Sequence, residues 1–189
     1  MAHCCHNVDM LGLSLLLLST AAAGGPGIVD LNGQAVDLFA TSAKVRVLVF
    51  LRTDCPISSR YAPELRRLRE EFSARGAVFS MVYADPHETD ANIRQHMTDY
   101  GFPGTPIRDA HHILVRRAKA AITPEAAVFS SSGALLYHGR IDNRYIEVGR
   151  SMPNPTQHDL EDAVAAALDG RPQPETTARA VGCYLADVE

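Results

Sequence analysis

The segment Val45–Leu51 (VRVLVFL) constrains this chain more than any other. Apart from Arg46 it is an unbroken apolar run rich in β-branched residues, the pattern of a strand covered on both faces. It runs into RTDCPISSR, where Pro56 suits the first position of a helix and Cys55 stands just ahead of it. Leu65, Leu68 and Phe72 then recur at helical spacing between Tyr61 and Phe72. A doubly covered strand feeding a helix implies a sheet sandwiched between helical layers.

The remaining punctuation extends that scheme. In Ile28–Leu38, Asn32-Gly33 sits between two short alternating runs and predicts a two-residue hairpin turn. Ala77–Ala84 predicts a strand ending at Asp85-Pro86, and Thr89–Tyr100 a helix closed by Gly101. Phe102–Pro106 predicts a loop, and Asp109 caps a helix over His111–Lys119. Ala126–Ser130 and Ala134–Gly139 form an expected hairpin around Ser131–Gly133. Asp159–Leu168 predicts a final helix stopping near Gly170, followed by a Pro-rich arm, Arg171–Glu189. The expected class is α/β: a central mixed sheet with parallel members joined by right-handed crossovers and flanked by helices. An N-terminal β-hairpin and a C-terminal arm complete it.

With 189 residues, 46% apolar and 21% charged, the chain is long enough for one globular domain. A net charge of −4 gives no reason to expect nucleic acid or an anionic membrane surface as partner. Leu11–Leu18, followed by Ala21-x-Ala23, reads as an export signal and is too short to span a bilayer, although the leading residues carry Asp9 and no Lys or Arg. The expected division is therefore 1–23 signal peptide, 24–170 domain and 171–189 arm. The mature protein is expected in the periplasm or outside the cell, with no membrane insertion after cleavage. Cleavage near Ala23 removes Cys4 and Cys5 and leaves Cys55 and Cys183, for which one disulfide pairing exists. The Cys4-Cys5-His6 cluster reads as incidental rather than as a soft-metal site.

Three features in order carry a family resemblance: the strand leading to Cys55, Thr123-Pro124 directly before AAVF, and the closing SSSGALLYHGRID. Together with TDCPISSRYAPEL, ITPEAAVFSSSGALLYHGRIDNRY and the terminal VGC, the chain resembles secreted bacterial redoxins. These are peroxiredoxin-like relatives in the broad alkyl hydroperoxide reductase/thiol-specific antioxidant (AhpC/TSA) and TlpA-like group. The resemblance implies a thioredoxin fold, a cis bond at Thr123-Pro124, and a thiol or peroxide substrate or a redox partner protein. The sequence departs from the disulfide-reductase pattern at Ser58, which stands where a second cysteine would be. It departs from the peroxidase pattern at Arg52, which holds the place of a threonine.

A thiol at a helix N-terminus meets unpaired N–H groups and the positive end of the helix dipole, both of which favour the thiolate. Arg52 and Arg60 flank Cys55 and add to that field. A strand end followed by proline and polar residues predicts contact with solvent. Ser58 either donates to the thiolate or merely suits the helix start. Cys183, on an arm kept extended by Pro172 and Pro174, is a resolving thiol if the arm folds across the cysteine face, and otherwise a structural or free one. Thr123 and Pro124 offer backbone to an extended thiol substrate.

Two kinds of function stand against thiol oxidoreduction by Cys55. One is a copper protein using Cys55 with His96 or His112, thiolate plus imidazole being suited to that metal. The other is a non-catalytic module binding partners through the Pro124 face. Neither redox reading requires a cofactor. Asp142 with Arg140 or Arg144 reads as a loop-ordering pair, and Glu64 and Glu125 are the candidate proton-transfer carboxylates.

Overall fold

In the computed structural model, Met1, residues 27–174 and residues 179–185 are described. The leader that predicts export, with Cys4, Cys5 and His6, lies outside them. Among the described residues, no helix is long and apolar enough to cross a membrane.

The elements run β1 (Val45–Leu51), α1 (Pro56–Arg60), α2 (Ala62–Ser73), β2 (Ala77–Tyr83), α3 (Asp90–Tyr100), β3 (Thr105–Arg108) and α4 (Ile113–Ala118). They continue with β4 (Ile122–Thr123), β5 (Glu125–Ser130), β6 (Leu135–Gly139), β7 (Tyr145–Glu147), β8 (Arg150–Ser151), α5 (Asp159–Asp169) and β9 (Cys183–Tyr184). The main sheet has the order β3-β2-β1-β5-β6. β1, β2 and β3 are mutually parallel, whereas β5 and β6 join antiparallel. Residues of β1 alternate between two apolar clusters, which is why its sequence does not alternate in polarity. Val45, Val47, Val49 and Leu51 face Leu65, Leu68 and Phe72 of α2 and Leu160 and Val164 of α5. Leu48 and Phe50 face Leu114 and Val115 of α4 on the other side.

Several local readings shift. The chain turns after Asp30, but the expected hairpin shrinks to a single bridge, Val29 with Ala35. The Asp30 carboxylate accepts from the Asn32 and Gln34 N–H groups at 2.8 and 2.9 Å, a local bonding pattern that competes with a ladder. Val29 also bridges Arg108, tying this loop to the β3 edge. Thr105–Pro106, expected in a loop, starts the edge strand β3; an edge tolerates proline because one side of the strand needs no donor. The helix predicted as one piece after Cys55 is two, meeting at Tyr61, with Pro63 in the first turn of the second. Asp109 does cap α4, its carboxylate accepting from Ile113 and Val115 N–H.

Arg46 is the one charged side chain of β1 and is 3% exposed. Its guanidinium donates to the carbonyls of Leu38 (2.6 Å), Ser130 (3.1 Å), Phe39 (3.3 Å) and Thr41, and lies over the Phe39 ring. It thereby pins the segment before β1 to the end of β5. Arg46→Met keeps the apolar stem but strands those carbonyls, and is expected to lower unfolding free energy by about 3 kcal/mol in denaturant titrations.

Candidate functional site

Cys55 is the residue preceding α1, with extended backbone (φ −93°, ψ 108°), and Pro56 opens the helix. The Ser59 N–H donates to the Cys55 carbonyl at 3.2 Å, so the cysteine holds the first turn through its own backbone. A short polar chain braces that turn from behind. The Ser59 hydroxyl donates to the Cys55 carbonyl (3.4 Å) and lies 3.0 Å from His96 Nε2, while Tyr83 hydroxyl lies 2.8 Å from Nδ1. The self-consistent assignment has Tyr83 donating to Nδ1 and Nε2–H donating to Ser59. Burial holds the His96 pKa below its ordinary value, with Asp99 opposing, which suits this neutral ring.

The thiol itself is sealed, contrary to the solvent contact expected at a strand end. Cys55 is 0% exposed. The returning arm closes part of its surroundings, because β9 pairs antiparallel with β4 and sets Cys183 opposite Thr123. Cys55 Sγ–H donates to the Thr123 carbonyl at 3.3 Å, and the Thr123 hydroxyl donates to the Cys183 carbonyl at 3.3 Å. The Thr123-Pro124 bond is cis, as the resemblance implied. The arm is held at three more points. Leu185 N–H donates to the Ala121 carbonyl at 3.0 Å, and the Leu185 side chain is buried. Arg52 donates to the Tyr184 carbonyl at 3.0 Å. Gly182 packs so tightly that a Cβ there would stand 1.9 Å from the Thr123 oxygen.

Both sulfurs are free thiols, and they are electrically unlike. Burial raises the Cys55 pKa, yet the Cys183 thiol, the Ser58 hydroxyl and the Ser58 and Cys183 N–H groups together bring it below the ordinary value. Ser58 Oγ is buried without a partner while Cys55 carries its proton. A thiolate at Cys55 gives that hydroxyl an acceptor. The Cys183 thiol is pushed up to about 11 by burial, then by its bond to Cys55 and by that residue's charge.

Among the described residues, the other expected participants make no hydrogen bond to the sulfur, whose partner is Thr123. Arg60 is exposed and sits on the rim of a cleft of about 260 Å³ lined by Pro56, Ile57, Tyr145, Val148 and Cys183. Arg52 spends its guanidinium on Asp54 (2.8 Å), Asp85 (3.6 Å) and the arm. Asp142 accepts from Tyr61 hydroxyl at 2.5 Å and faces Arg144 at 3.7 Å, the loop-ordering role expected of it. Glu125 accepts from the Ala121 and Ile122 N–H groups and shapes the turn before β5. Glu64 is engaged by Arg67.

His112 Nε2 lies 3.0 Å from the Ala84 carbonyl, and both nitrogens of His96 are bonded as described. Among the described residues, the cluster of three ligand-type side chains that could hold an ion is Glu64, His158 and Glu161, not a set containing Cys55.

Gly182, Arg52 as the arm's clasp, and the Tyr83–His96–Ser59 chain were not singled out in these roles from sequence. For Gly182 a signal existed: glycine directly before cysteine in an arm otherwise rich in larger residues. The polar chain had none, because its members come from three separate elements.

The profile of the AhpC/TSA family matches residues 21–138. An uncharacterized conserved protein from Geobacillus kaustophilus has a similar structure, with TM-score 0.71, 23% identity, and 84% of this chain and 86% of that one covered. A hypothetical protein from Sinorhizobium meliloti is similar at TM-score 0.71 and 22% identity, covering 84% and 88%. A secreted Mycobacterium tuberculosis disulfide oxidoreductase homologous to Escherichia coli DsbE aligns at TM-score 0.52 and 17% identity, covering 76% and 94%. At these identities the likeness is one of fold. No protein of curated function matches the sequence.

Two outcomes test the arm's hold on the thiol. Replacing Cys183 with alanine removes a donor to the thiolate, so the pH midpoint for Cys55 alkylation, followed by peptide mass spectrometry, moves upward. Gly182→Ala forces the arm off Thr123 and is expected to speed Cys55 alkylation severalfold. Its unfolding midpoint should shift little, since the main sheet is untouched.

Proposed function

The chain belongs to the AhpC/TSA family and is a thioredoxin-like redoxin, and from that premise we propose that it is a dithiol–disulfide oxidoreductase whose working pair is Cys55 and Cys183. The observation that carries this reading is the β4–β9 pairing, which sets the distant Cys183 opposite Thr123, whose carbonyl accepts a hydrogen bond from the Cys55 thiol. Ser58 rules out a resolving thiol within the first helical turn, and the arm delivers one from the other end of the chain.

The pKa directions assign the order of events. Cys55, with the lowered pKa, is the nucleophile, and Cys183, at about 11, stays protonated until it is needed. Because Cys55 is sealed when the arm is docked, the two-residue strand β9 detaches to admit substrate, a small local opening. The Cys55 thiolate attacks one sulfur of a substrate disulfide, forming a mixed disulfide and expelling the other sulfur as thiolate. That thiolate takes a proton from solvent. When the arm returns, Cys183 gives its proton to solvent and attacks Cys55 Sγ, breaking the mixed disulfide; the second substrate thiolate leaves, takes a proton from solvent, and a Cys55–Cys183 bond remains. The substrate has gained two electrons and the protein has lost them; an external dithiol reverses the change.

In the peroxidase version Cys55 attacks a peroxide oxygen, gives sulfenic acid and releases alcohol or water, and Cys183 then expels water as the disulfide forms. It has less support, because Arg52 occupies the position of the usual threonine and is engaged by Asp54, Asp85 and the arm. The apolar lining of the neighbouring cleft suits a thiol-bearing peptide better than a small peroxide. An export-signal pattern at Leu11–Ala23 and the two cysteines that follow it support a site of action outside the cytoplasm, and the structurally similar Mycobacterium tuberculosis disulfide oxidoreductase is described as secreted.

Non-reducing peptide mass spectrometry after exposure to an oxidised dithiol is expected to show a Cys55–Cys183 link. Cys183→Ser should accumulate a mixed disulfide at Cys55, and Cys55→Ser should abolish exchange. Absence of the link, or exchange intact in Cys55→Ser, overturns the proposal. Hydrogen peroxide consumed with a thiol donor and lost in Cys55→Ser, without disulfide exchange, transfers the assignment to the peroxidase version.

A further inference from the structure

Thiol chemistry makes no use of a side-chain cluster where α2 meets α5. Glu64 in the first turn of α2, His158 just ahead of α5 and Glu161 in its first turn bring one ligand atom each within 4.8 Å of one another. All three are partly buried. His158 Nδ1 is shut off from solvent and has no hydrogen-bond partner. A buried ring nitrogen in that condition costs free energy unless something occupies it.

The charges around it are unbalanced in one direction. Arg67 donates to Glu64 through Nε (3.1 Å) and Nη2 (2.6 Å), to Glu71 through Nη1 (2.9 Å), and to Glu161 through Nη2. The two ligand carboxylates and this guanidinium leave one net negative charge at the cluster, and Glu71 on the far donor of Arg67 adds another nearby, a setting that attracts a cation. Each carboxylate oxygen bound to Arg67 retains a lone pair. Arg67 Nη2 bridges Glu64 Oε1 and Glu161 Oε2 and so holds the two carboxylates together, a contact by which outer groups orient ligands.

We propose that Glu64, His158 and Glu161 form a binding site for a divalent cation of the zinc class, bridging α2 to α5. The donor set decides the class. One imidazole with two carboxylates suits zinc, whereas calcium and magnesium call for oxygen alone and cuprous copper for sulfur. Bonds of about 2.1 Å place tetrahedral ligand atoms roughly 3.4 Å apart, so the partly buried side chains close by about an ångström on binding. Solvent fills the fourth position. The ion ties together two helices that pack on the same face of the sheet as Cys55. α2 also abuts α1 at Tyr61, so the brace stiffens the support of the thiol without touching it.

The test uses the full chain with all four cysteines replaced by serine, which removes every thiolate ligand. Cobalt(II) and zinc are titrated separately, by visible spectroscopy and calorimetry. One equivalent is expected to bind, with ligand-field absorption, no sulfur charge-transfer band, and a higher melting temperature with zinc. His158→Ala and Glu161→Gln should each weaken binding about tenfold or more, the usual cost of losing a ligand or its orientation. Glu161→Gln, a near-isosteric change, decides the matter if His158→Ala fails to fold. No binding at millimolar metal, or equal binding in Glu161→Gln, overturns the proposal.

Discussion

Thr123 is the point at which strand, thiol and arm meet. Its carbonyl accepts a hydrogen bond from the Cys55 thiol, its hydroxyl donates to the Cys183 carbonyl, and its backbone pairs with β9. The residue is fully buried, directly before the cis bond to Pro124, and the Glu125 carboxylate fixes the turn that leads into it. Everything proposed for the cysteines depends on this one residue holding both chain segments at once. Proline at 124 has no N–H to give, so the local donors come from the arm and from the first turn of α1.

The thiol's lowered pKa emerges from opposed effects rather than from one. Sealing Cys55 from water disfavours its anion, and a helix start alone would be weakened by the brevity of α1. Specific donors overcome that penalty: Ser58 from the same turn and Cys183 from the arm. The arm that lies over the thiol is therefore also what favours its anion. Access and reactivity are coupled through a pairing only two residues long.

The sequence was most legible where burial dictates residue type. VRVLVFL reads as a strand covered on both faces, and its boundaries match β1 residue for residue. The stop of α3 at Gly101 was readable because capping chemistry is local, and Thr89, read as the first helical residue, is its N-cap. Thr123-Pro124 followed from the family resemblance, not from periodicity. Elements defined by distant partners were not legible: β3 exists because β2 offers it an open edge, and β9 because β4 does. Cys55 misled for the same reason, since its immediate neighbours promise solvent while its cover comes from the far end of the chain. Asp30 misled differently, its side chain satisfying the backbone groups a ladder would have used.

The close approach of Gly182 to the Thr123 oxygen has a bearing on what else can occupy that slot. The docked arm defines a clearance that admits bare main chain and nothing larger at one position. An extended ligand competing in the same register must present glycine there, or else sit further out and forgo part of the ladder. In this sense the docked arm is its own template, and the profile of one residue sets what that slot clears.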